Sequence, residues 1–178
     1  MRKSFWSKII ICTVLICCVA TCTNSYTQSK QDYISPSLKN VKGYNELKKN
    51  LDEIKRIRKN IYTIDINTTD TEPKLKSTKE RLNYHLLELK AVKNNLTKFK
   101  GVYSNSKDDI LFAEQLSFIA CSYELSLNQQ LNLVEDLISE KTEANKLFFS
   151  DNIAHIYYYI TLGDQMISYI DSYYVLRK

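Results

Sequence analysis

The chain has 178 residues and a mass of 20.8 kDa, with 25 Lys and Arg, 20 Asp and Glu, three Gly, two Pro and 13 Tyr. So few Gly and Pro residues exclude the turns of a many-stranded sandwich or barrel and the glycine-rich loops that let a backbone approach a phosphate closely. The composition therefore disfavours nucleotide-binding folds and fits one domain of about 150 residues after an N-terminal segment.

The N-terminal segment has the order of a secretory signal. Basic residues Arg2, Lys3 and Lys8 precede the apolar run 9–20, and polar residues follow it. A helix of that length spans only about 18 Å, which is short of a hydrocarbon core of about 30 Å, so a permanent transmembrane span is disfavoured. We interpret residues 1–22 as a signal peptide and 23–37 as a short tether.

The end of this segment leaves two processing routes open. Val19-Ala20-Thr21-Cys22 resembles a bacterial lipobox, in which the Cys becomes the lipidated first residue of the mature chain, although Thr21 departs from the usual Gly, Ala or Ser. The alternative to lipidation at Cys22 is ordinary cleavage between Cys22 and Gln28, which leaves a soluble protein. Both routes predict export into a bacterial envelope, in the periplasm or on a lipid anchor.

Cysteine usage predicts a body without disulfides. Four of the five cysteines lie in or beside the signal, and only Cys121 is certainly in the mature chain. A single thiol cannot cross-link its own chain, so stability has to come from packing. We interpret Cys121, in an apolar stretch, as a small buried hydrophobe.

Helical periodicity begins after the tether. Apolar residues at three-and-four spacing, with lysines and arginines between them, predict a first helix over about 38–62. The stripe consists of Leu47, Leu51, Ile54, Ile57 and Ile61. Residues 65–71 are Asp, Asn and Thr with one Ile, and these side chains favour a loop because they bond their own backbone.

The second helix carries a seven-residue repeat. Pro73 suits a first helical turn, and Gly101 is expected to end the helix. The repeat is Leu75, Leu82, Leu89, Leu96 and Tyr103, with His85, Val92 and Phe99 on the alternate seam. Such a repeat over four heptads requires a partner helix at a left-handed crossing.

Two further helices are predicted. Ser106, followed by Asp108 and Asp109, is a favourable helix start for a third helix that runs to about 142. Its stripe is Phe112, Leu116, Ile119, Tyr123, Leu127, Leu131, Val134 and Leu137. Ser150 and Asp151 are expected to open the fourth, whose face is Ile153, Ile156, Ile160, Ile167, Ile170 and Tyr174. Gly163 lies within it, as a close-packing point or a bend.

These elements predict an all-α fold over residues 38–178, either a four-helix antiparallel bundle or paired long helical hairpins. Charge divides between the two halves: residues 30–100 hold 17 Lys and Arg against nine Asp and Glu, whereas residues 101–178 hold five against 11. Opposite signs favour docking of one hairpin on the other, although each exposed pair contributes only tenths of a kcal/mol.

No motif for chemistry is recognisable. His85 and His155 lie on different predicted helices, and neither has Cys, Asp or Glu at metal-ligand spacing. No Gly-x-Ser-x-Gly elbow or Cys/His pairing occurs. We therefore expect no catalytic, cofactor-binding or metal-binding residues and no enzyme activity. Since much of the net charge of +5 comes from the signal, nucleic acid is not an expected partner.

The least ordinary feature is a concentration of tyrosines near the C-terminus. Their positions point around more than one side of a helix, so a four-helix core cannot bury all of them. They are Tyr157, Tyr158, Tyr159, Tyr169, Tyr173 and Tyr174. Tyrosine is enriched at interfaces because it combines a large contact area with a polar tip. The alternatives are a docking surface, for another protein or for a second copy, and a mixture of core and isolated surface residues.

Three segments of the chain resemble exported helical proteins of conjugative elements. They are 114–123 (Glu-Gln-Leu-Ser-Phe-Ile-Ala-Cys-Ser-Tyr), 149–151 (Phe-Ser-Asp) at a helix start, and 43–48 (Gly-Tyr-Asn-Glu-Leu-Lys) before a basic helix. These patterns are similar to the TrbJ-like conjugal transfer family, especially the TraI-type transfer proteins of Bacteroidetes conjugative transposons. The resemblance implies a non-enzymatic component of a type IV secretion (mating-pair formation) apparatus that contacts pilus or channel subunits through its helices.

A second hypothesis belongs to a different class. A membrane-anchored lipoprotein could act alone as a binding or exclusion module that sequesters a small ligand or blocks an incoming system. It predicts a concave apolar pocket between the helices and lipidation at Cys22. The assembly hypothesis predicts an exposed tyrosine-rich face over residues 153–174.

Overall fold

A computed structural model describes residues 41–62, 64–139 and 143–172, with the backbone alone over 143–151. The predicted signal 1–22, the tether 23–37 and Tyr173 and Tyr174 lie outside the described residues. Regular structure in the described ranges is entirely helical: α1 Tyr44–Asn60, α2 Glu72–Val102, α3 Lys107–Ser139 and α4 Glu143–Ile170. The predicted all-α class is confirmed.

The heptad residues of α2 form one wall of the core. Leu75, Leu82, Leu89 and Leu96 are buried, and so are His85, Val92 and Phe99 on the alternate seam. This is the pattern expected when both seams of a seven-residue repeat face partner helices. Tyr103 follows the helix as its C-terminal cap and stacks on Phe99, with ring centroids 4.4 Å apart.

Helix α3 is the centre of the arrangement. It packs against α2 and α4 along its length and also contacts α1. Lys93 pairs with Glu124 and Lys79 with Glu135, so α2 and α3 are antiparallel. Tyr123 meets Asp164 and Ser126 meets Ile156, so α3 and α4 are also antiparallel. The four described helices therefore form one bundle rather than separate hairpins.

The first helix covers only part of this bundle. It has 17 residues against 31 in α2, about 25 Å against about 46 Å at a rise of about 1.5 Å per residue. The loop that follows α1 also packs on the core: Ile61 and Ile66 are buried, and Ile64 is partly buried against the same core. The loop predicted over 65–71 is confirmed, and α2 begins at Glu72 with Pro73 in its first turn.

Asp109 explains why α1 begins later than predicted. The sequence predicts a helix from about residue 38, yet α1 begins at Tyr44 with Gly43 as its N-cap. The buried carboxylate of Asp109 accepts hydrogen bonds from the backbone N–H groups of Gly43 (2.7 Å) and Lys42 (3.3 Å), and from the Ser106 hydroxyl. One side chain on α3 therefore accepts hydrogen bonds at the N-terminal ends of both α1 and α3. The turn at 41–43 is fixed by this contact with α3 rather than by its own sequence.

The structure corrects two other predicted helix boundaries, the start of α4 by seven residues and the end of α2 by one. Helix α4 begins at Glu143 rather than at Ser150 and Asp151, because 143–149 contains no Gly or Pro and readily extends a helix upstream of those polar residues. Helix α2 passes Gly101 and ends at Val102, and Gly101 has no positive φ. The end of α3 at Ser139 agrees with the prediction to within the undescribed residues 140–142.

The charge asymmetry of the sequence reappears as ion pairs between the two halves. In the described part of the chain, Lys and Arg of α1 or α2 pair with Asp and Glu of α3, of α4 or, in one case, of the residue directly after α4. The pairs are Lys55–Asp171, Arg58–Asp164, Lys79–Glu135 and Lys93–Glu124. Each is partly exposed and contributes little by itself, but all four act in the same sense and favour this docking of the halves.

By length and composition α3 is also the one described helix that could cross a bilayer, with a mean hydropathy of 1.2 over its most apolar window. Half of that window is buried inside the protein. The apolar character of α3 is thus accounted for by the contacts it makes with the other three helices.

Gly163 is a close-packing point, one of the two roles predicted for it. A Cβ built there would lie 2.5 Å from Cε1 of Tyr123 and 2.8 Å from its Cζ. Gly101 provides a contrast, since nothing lies within 4 Å of a Cβ at that position. Gly163 therefore allows α4 to approach the fully buried ring of Tyr123, whereas Gly101 has no packing role.

We expect Gly163→Ala to lower the free energy of unfolding by about 1–3 kcal/mol, because overpacking at Tyr123 outweighs the gain in helix propensity. Gly101→Ala is the matched control and should raise stability by up to about 1 kcal/mol. Denaturant unfolding followed by far-UV circular dichroism measures both. Equal stabilisation by the two variants would contradict close packing at Gly163.

Candidate interaction surface on α4

The structure exposes most of the described tyrosines that the sequence singles out. Tyr157 is 48% exposed, Tyr158 61% and Tyr169 40%, whereas Tyr159 is half-buried. Tyr158 and Tyr159 meet edge to face, with ring centroids 5.4 Å apart. Ile156 and Ile160, between these tyrosines, point into the core. The α4 tyrosines therefore form an outer aromatic surface, which we call the tyrosine surface (Tyr157, Tyr158 and Tyr169).

A shallow groove runs along this surface. It has a volume of about 340 Å³ and is lined by Ala154, Tyr157, Tyr158, Thr161, Leu162 and Gln165. These side chains combine two aromatic rings with small and amide groups, and none of them is charged. Such a lining resembles the central part of protein interfaces, where charged residues are depleted and tyrosine is enriched.

A polar cluster beneath the tyrosine surface fixes the position of α4. Asp164 accepts hydrogen bonds from Arg58 Nε (2.7 Å) and Nη2 (2.9 Å) and from the Tyr123 hydroxyl (2.7 Å). Arg58 also donates to the carbonyl oxygen of Ile61 and lies over the Tyr123 ring. One carboxylate on α4 is thereby bonded to both α1 and α3.

The cluster shifts the pKa values of its members in the directions that keep it intact. Burial tends to raise the pKa of Asp164, but hydrogen bonds from Arg58 and Tyr123 outweigh it and hold that pKa below its ordinary value. Burial, followed by the hydrogen bond to Asp164, raises the pKa of Tyr123. The hydrogen bond to Asp164 raises the pKa of Arg58. At neutral pH the cluster therefore holds an ionised carboxylate, a protonated guanidinium and a neutral phenol.

Two further contacts hold α4 on either side of this cluster. The buried hydroxyl of Ser126 donates to the carbonyl oxygen of Ile156, at 3.0 Å. Lys55 donates to both carboxylate oxygens of Asp171, at 2.6 and 2.7 Å. The backbone that carries Tyr157, Tyr158 and Tyr169 is thus tied to α1 or α3 at three levels.

The outer face of α3 carries an apolar stripe that the sequence analysis did not identify. Leu111, Phe118 and Leu125 recur at seven-residue spacing and are each at least 40% exposed. Leu125 lies about 100° around the helix from both Glu124, which faces α2, and Ser126, which faces α4. The stripe therefore points away from the bundle. Its heptad spacing is visible in the sequence but was obscured by the stronger core stripe of the same helix.

A second groove lies between α1 and α2. It has a volume of about 570 Å³ and is lined by Glu46, Lys49, Asn50, Glu53, Asn95, Lys98, Phe99 and Val102. Most of these side chains are charged or carry amides. The groove therefore differs from the concave apolar pocket that a small-ligand module predicts, although it lies between two helices as that hypothesis expects.

The other residues considered from the sequence have separate positions. His85 is buried on α2, with Nδ1 2.9 Å from Glu88 Oε2, and Glu88 in turn pairs with Arg56. His155 is exposed on α4. Cys121 is partly buried beside the Lys93 ammonium, and Cys22 lies outside the described residues. Over the described ranges, no three His, Cys, Asp or Glu side chains are grouped as a metal site would require.

Comparison with known proteins adds no relative: no family model matches the chain, and neither curated protein sequences nor solved structures give a significant match. The bundle is therefore described by its own geometry. The similarity of short segments to conjugal transfer proteins stays a hypothesis about family.

We expect the stability of the protein to fall as the pH drops below about 4, because Asp164 has a lowered pKa in the folded state and must be protonated on acid unfolding. Asp164→Asn should lower the free energy of unfolding by at least about 1 kcal/mol at neutral pH and flatten its acid dependence. Urea titrations across this pH range measure both effects.

Asp52→Asn is the control, since Asp52 forms an exposed pair with Lys48 one turn away on α1. It should change stability by less than about 0.5 kcal/mol. An Asp164→Asn variant whose acid dependence matches that of the wild-type chain would show that the cluster does not control it.

Proposed function

We propose that this protein is an exported, non-enzymatic helical component of a conjugative type IV secretion apparatus in a bacterial envelope, and that it acts through protein–protein contacts. The observation that carries the proposal is the tyrosine surface of α4, which is exposed on a helix that three sets of polar contacts hold in place. The partner is another subunit of the apparatus or a second copy of this chain.

The physical case for docking rests on side-chain freedom. A tyrosine presents a large contact area and a hydroxyl while losing only two side-chain torsions on binding. The backbone beneath the rings is already fixed by Asp164, Ser126 and Asp171, so a partner that binds there orders little of this protein. Preorganisation of this kind reduces the entropic cost of association.

The secretion apparatus itself is supported by sequence patterns. The order of charges and apolar residues in 1–22 favours export. The helical segments 43–48 and 114–123 resemble conjugal transfer proteins, and the second of these lies in the central helix α3. Charged and amide side chains make up most of the lining of the groove between α1 and α2, so a module that sequesters a small ligand in an apolar pocket has less support.

We expect Tyr158→Ala combined with Tyr169→Ala to reduce capture of the partner from a solubilised envelope fraction about tenfold or more, because truncated interface tyrosines are frequent hot spots. The matched control is Tyr62→Ala combined with Tyr84→Ala, which removes two exposed tyrosines that lie off α4. Far-UV circular dichroism should show unchanged helicity in both double variants. Capture that is equally strong in all three chains would remove the role of the tyrosine surface.

Conjugal transfer from the host cell tests the apparatus separately. We expect deletion of the gene to lower transfer frequency, the wild-type chain and the control variant to restore it, and the Tyr158→Ala/Tyr169→Ala chain to fail. Transfer that is unaffected by the deletion would contradict a place in the secretion apparatus.

A further inference from the structure

One end of the bundle concentrates lysines. The N-terminus of α1, the C-terminus of α2 and the N-terminus of α3 meet there, because Asp109 of α3 binds the backbone of Gly43 and the Phe99 and Tyr103 rings lie against Gly43. We call this end the lysine tip. Its basic residues are Lys42, Lys98, Lys100 and Lys107.

The lysines of the tip form no ion pair with another described residue. Among the described residues, none of these four ammonium groups has a carboxylate within ion-pair distance. The opposite end differs: Lys74 pairs with Asp70, Lys76 with Glu72 and Arg81 with Asp65. Basic side chains are therefore neutralised locally at one end and left available at the other.

The carboxylates near the lysine tip do not cancel this charge. Asp109 is buried and accepts hydrogen bonds from the Gly43 N–H group and the Ser106 hydroxyl. Glu46 accepts a hydrogen bond from the Tyr103 hydroxyl. Asp108 is exposed beside Lys107. By formal charge, four ammonium groups stand against the three carboxylates of Asp109, Glu46 and Asp108, so the tip keeps a net charge of +1.

An exposed apolar residue lies among the lysines. Val102, the last residue of α2, is 74% exposed, the highest exposure among the large hydrophobic side chains described. An apolar side chain surrounded by lysines suits the boundary between lipid headgroups and acyl chains, since lysine stems are apolar and their ammonium groups reach the headgroups.

The described part of the chain begins at this end of the bundle, at Val41. Lysines near an anionic membrane surface are attracted to it, and the attraction acts within about one Debye length of the surface.

We propose that the lysine tip docks on an anionic phospholipid surface, with Lys42, Lys98, Lys100 and Lys107 contacting headgroup phosphates and Val102 contacting the interface. This inference rests on the proposed export. The bundle then stands end-on to the membrane, which leaves the outer face of α4 directed sideways and open to a protein partner.

Lysine footprinting of the full chain in vesicles tests the proposal. The chain is incubated with vesicles of phosphatidylcholine alone or of phosphatidylcholine with phosphatidylglycerol, acetylated briefly and read lysine by lysine by mass spectrometry. We expect the four tip lysines to be acetylated about fivefold more slowly on the anionic vesicles. About 1 M NaCl, at which the Debye length is about 3 Å, should abolish the difference.

The chain carries its own controls. Lys59 and Lys90 are also exposed and without an ion-pair partner among the described residues, but they lie away from the tip and should be acetylated equally on both vesicles. In the Lys98→Gln/Lys107→Gln variant, protection of Lys42 and Lys100 should be lost, whereas Lys59→Gln/Lys90→Gln, with the same net charge, should retain it.

Three results would overturn the proposal. Equal acetylation of the tip on both vesicles would show no lipid contact, and equal protection of Lys59 and Lys90 would show attraction of the whole chain rather than of the tip. Protection by soluble polyglutamate but not by anionic vesicles would assign the tip to an acidic protein. None of these results depends on capture through Tyr158 and Tyr169, so the two proposals can fail separately.

Discussion

The arrangement of the helices depends on how much of the surface of α3 has to be buried by neighbouring helices. At about 100° per residue its buried positions span about half of its circumference, with Ala113 and Ser122 on opposite sides, so one partner helix cannot shield it. Helices α2 and α4 take the two sides, and α1 closes the space between them. Since α1 is only 17 residues long, the loop that follows it packs Ile61 and Ile66 against the part of the core that α1 does not reach. The order of the helices follows from this requirement, because short connections place neighbouring helices antiparallel.

Apolar burial alone does not determine how far each helix slides along its neighbour, and polar contacts supply that register. Asp164 can meet Arg58 and Tyr123 at one position of α4 only, and Gly163 has to lie against the Tyr123 ring at the same level. Asp109 does the same for α1, since its carboxylate faces the two N–H groups before Tyr44. A shift by one helical turn would leave the carboxylate of Asp109 buried without its donors, at a cost of several kcal/mol, and would break the contacts of the partly exposed Asp164 at a smaller cost.

The sequence predicted features that depend on residues close together in the chain, and it missed features that depend on contacts between distant residues. Heptad spacing identified most of the core of α2, including His85, because burial repeats locally along a helix, but it missed the buried Thr78 and included Tyr103, which is only half-buried. The start of α1 was misplaced because it is set by Asp109, which is 66 residues away from Gly43. Arg58 and Asp164 are 106 residues apart, and no local pattern joins them. The tyrosines of α4 could be recognised as too many to bury, but only the structure separates the exposed Tyr158 from the half-buried Tyr159.

The same reasoning changes how the charge of this protein should be interpreted. An excess of lysine and arginine in one half of a sequence suggests a basic face, yet Lys55, Arg58, Lys79 and Lys93 are paired with carboxylates of the other half. The two charges of each pair sum to zero, so a pair attracts a distant partner far less than an unpaired lysine does. The charges that can act on a partner are those of lysines without an ion-pair partner among the described residues. Several of these lysines lie at the lysine tip, where three helix ends meet. Since helix ends have fewer neighbouring helices to supply carboxylates, an unpaired lysine costs least there and is most accessible to an external anionic surface.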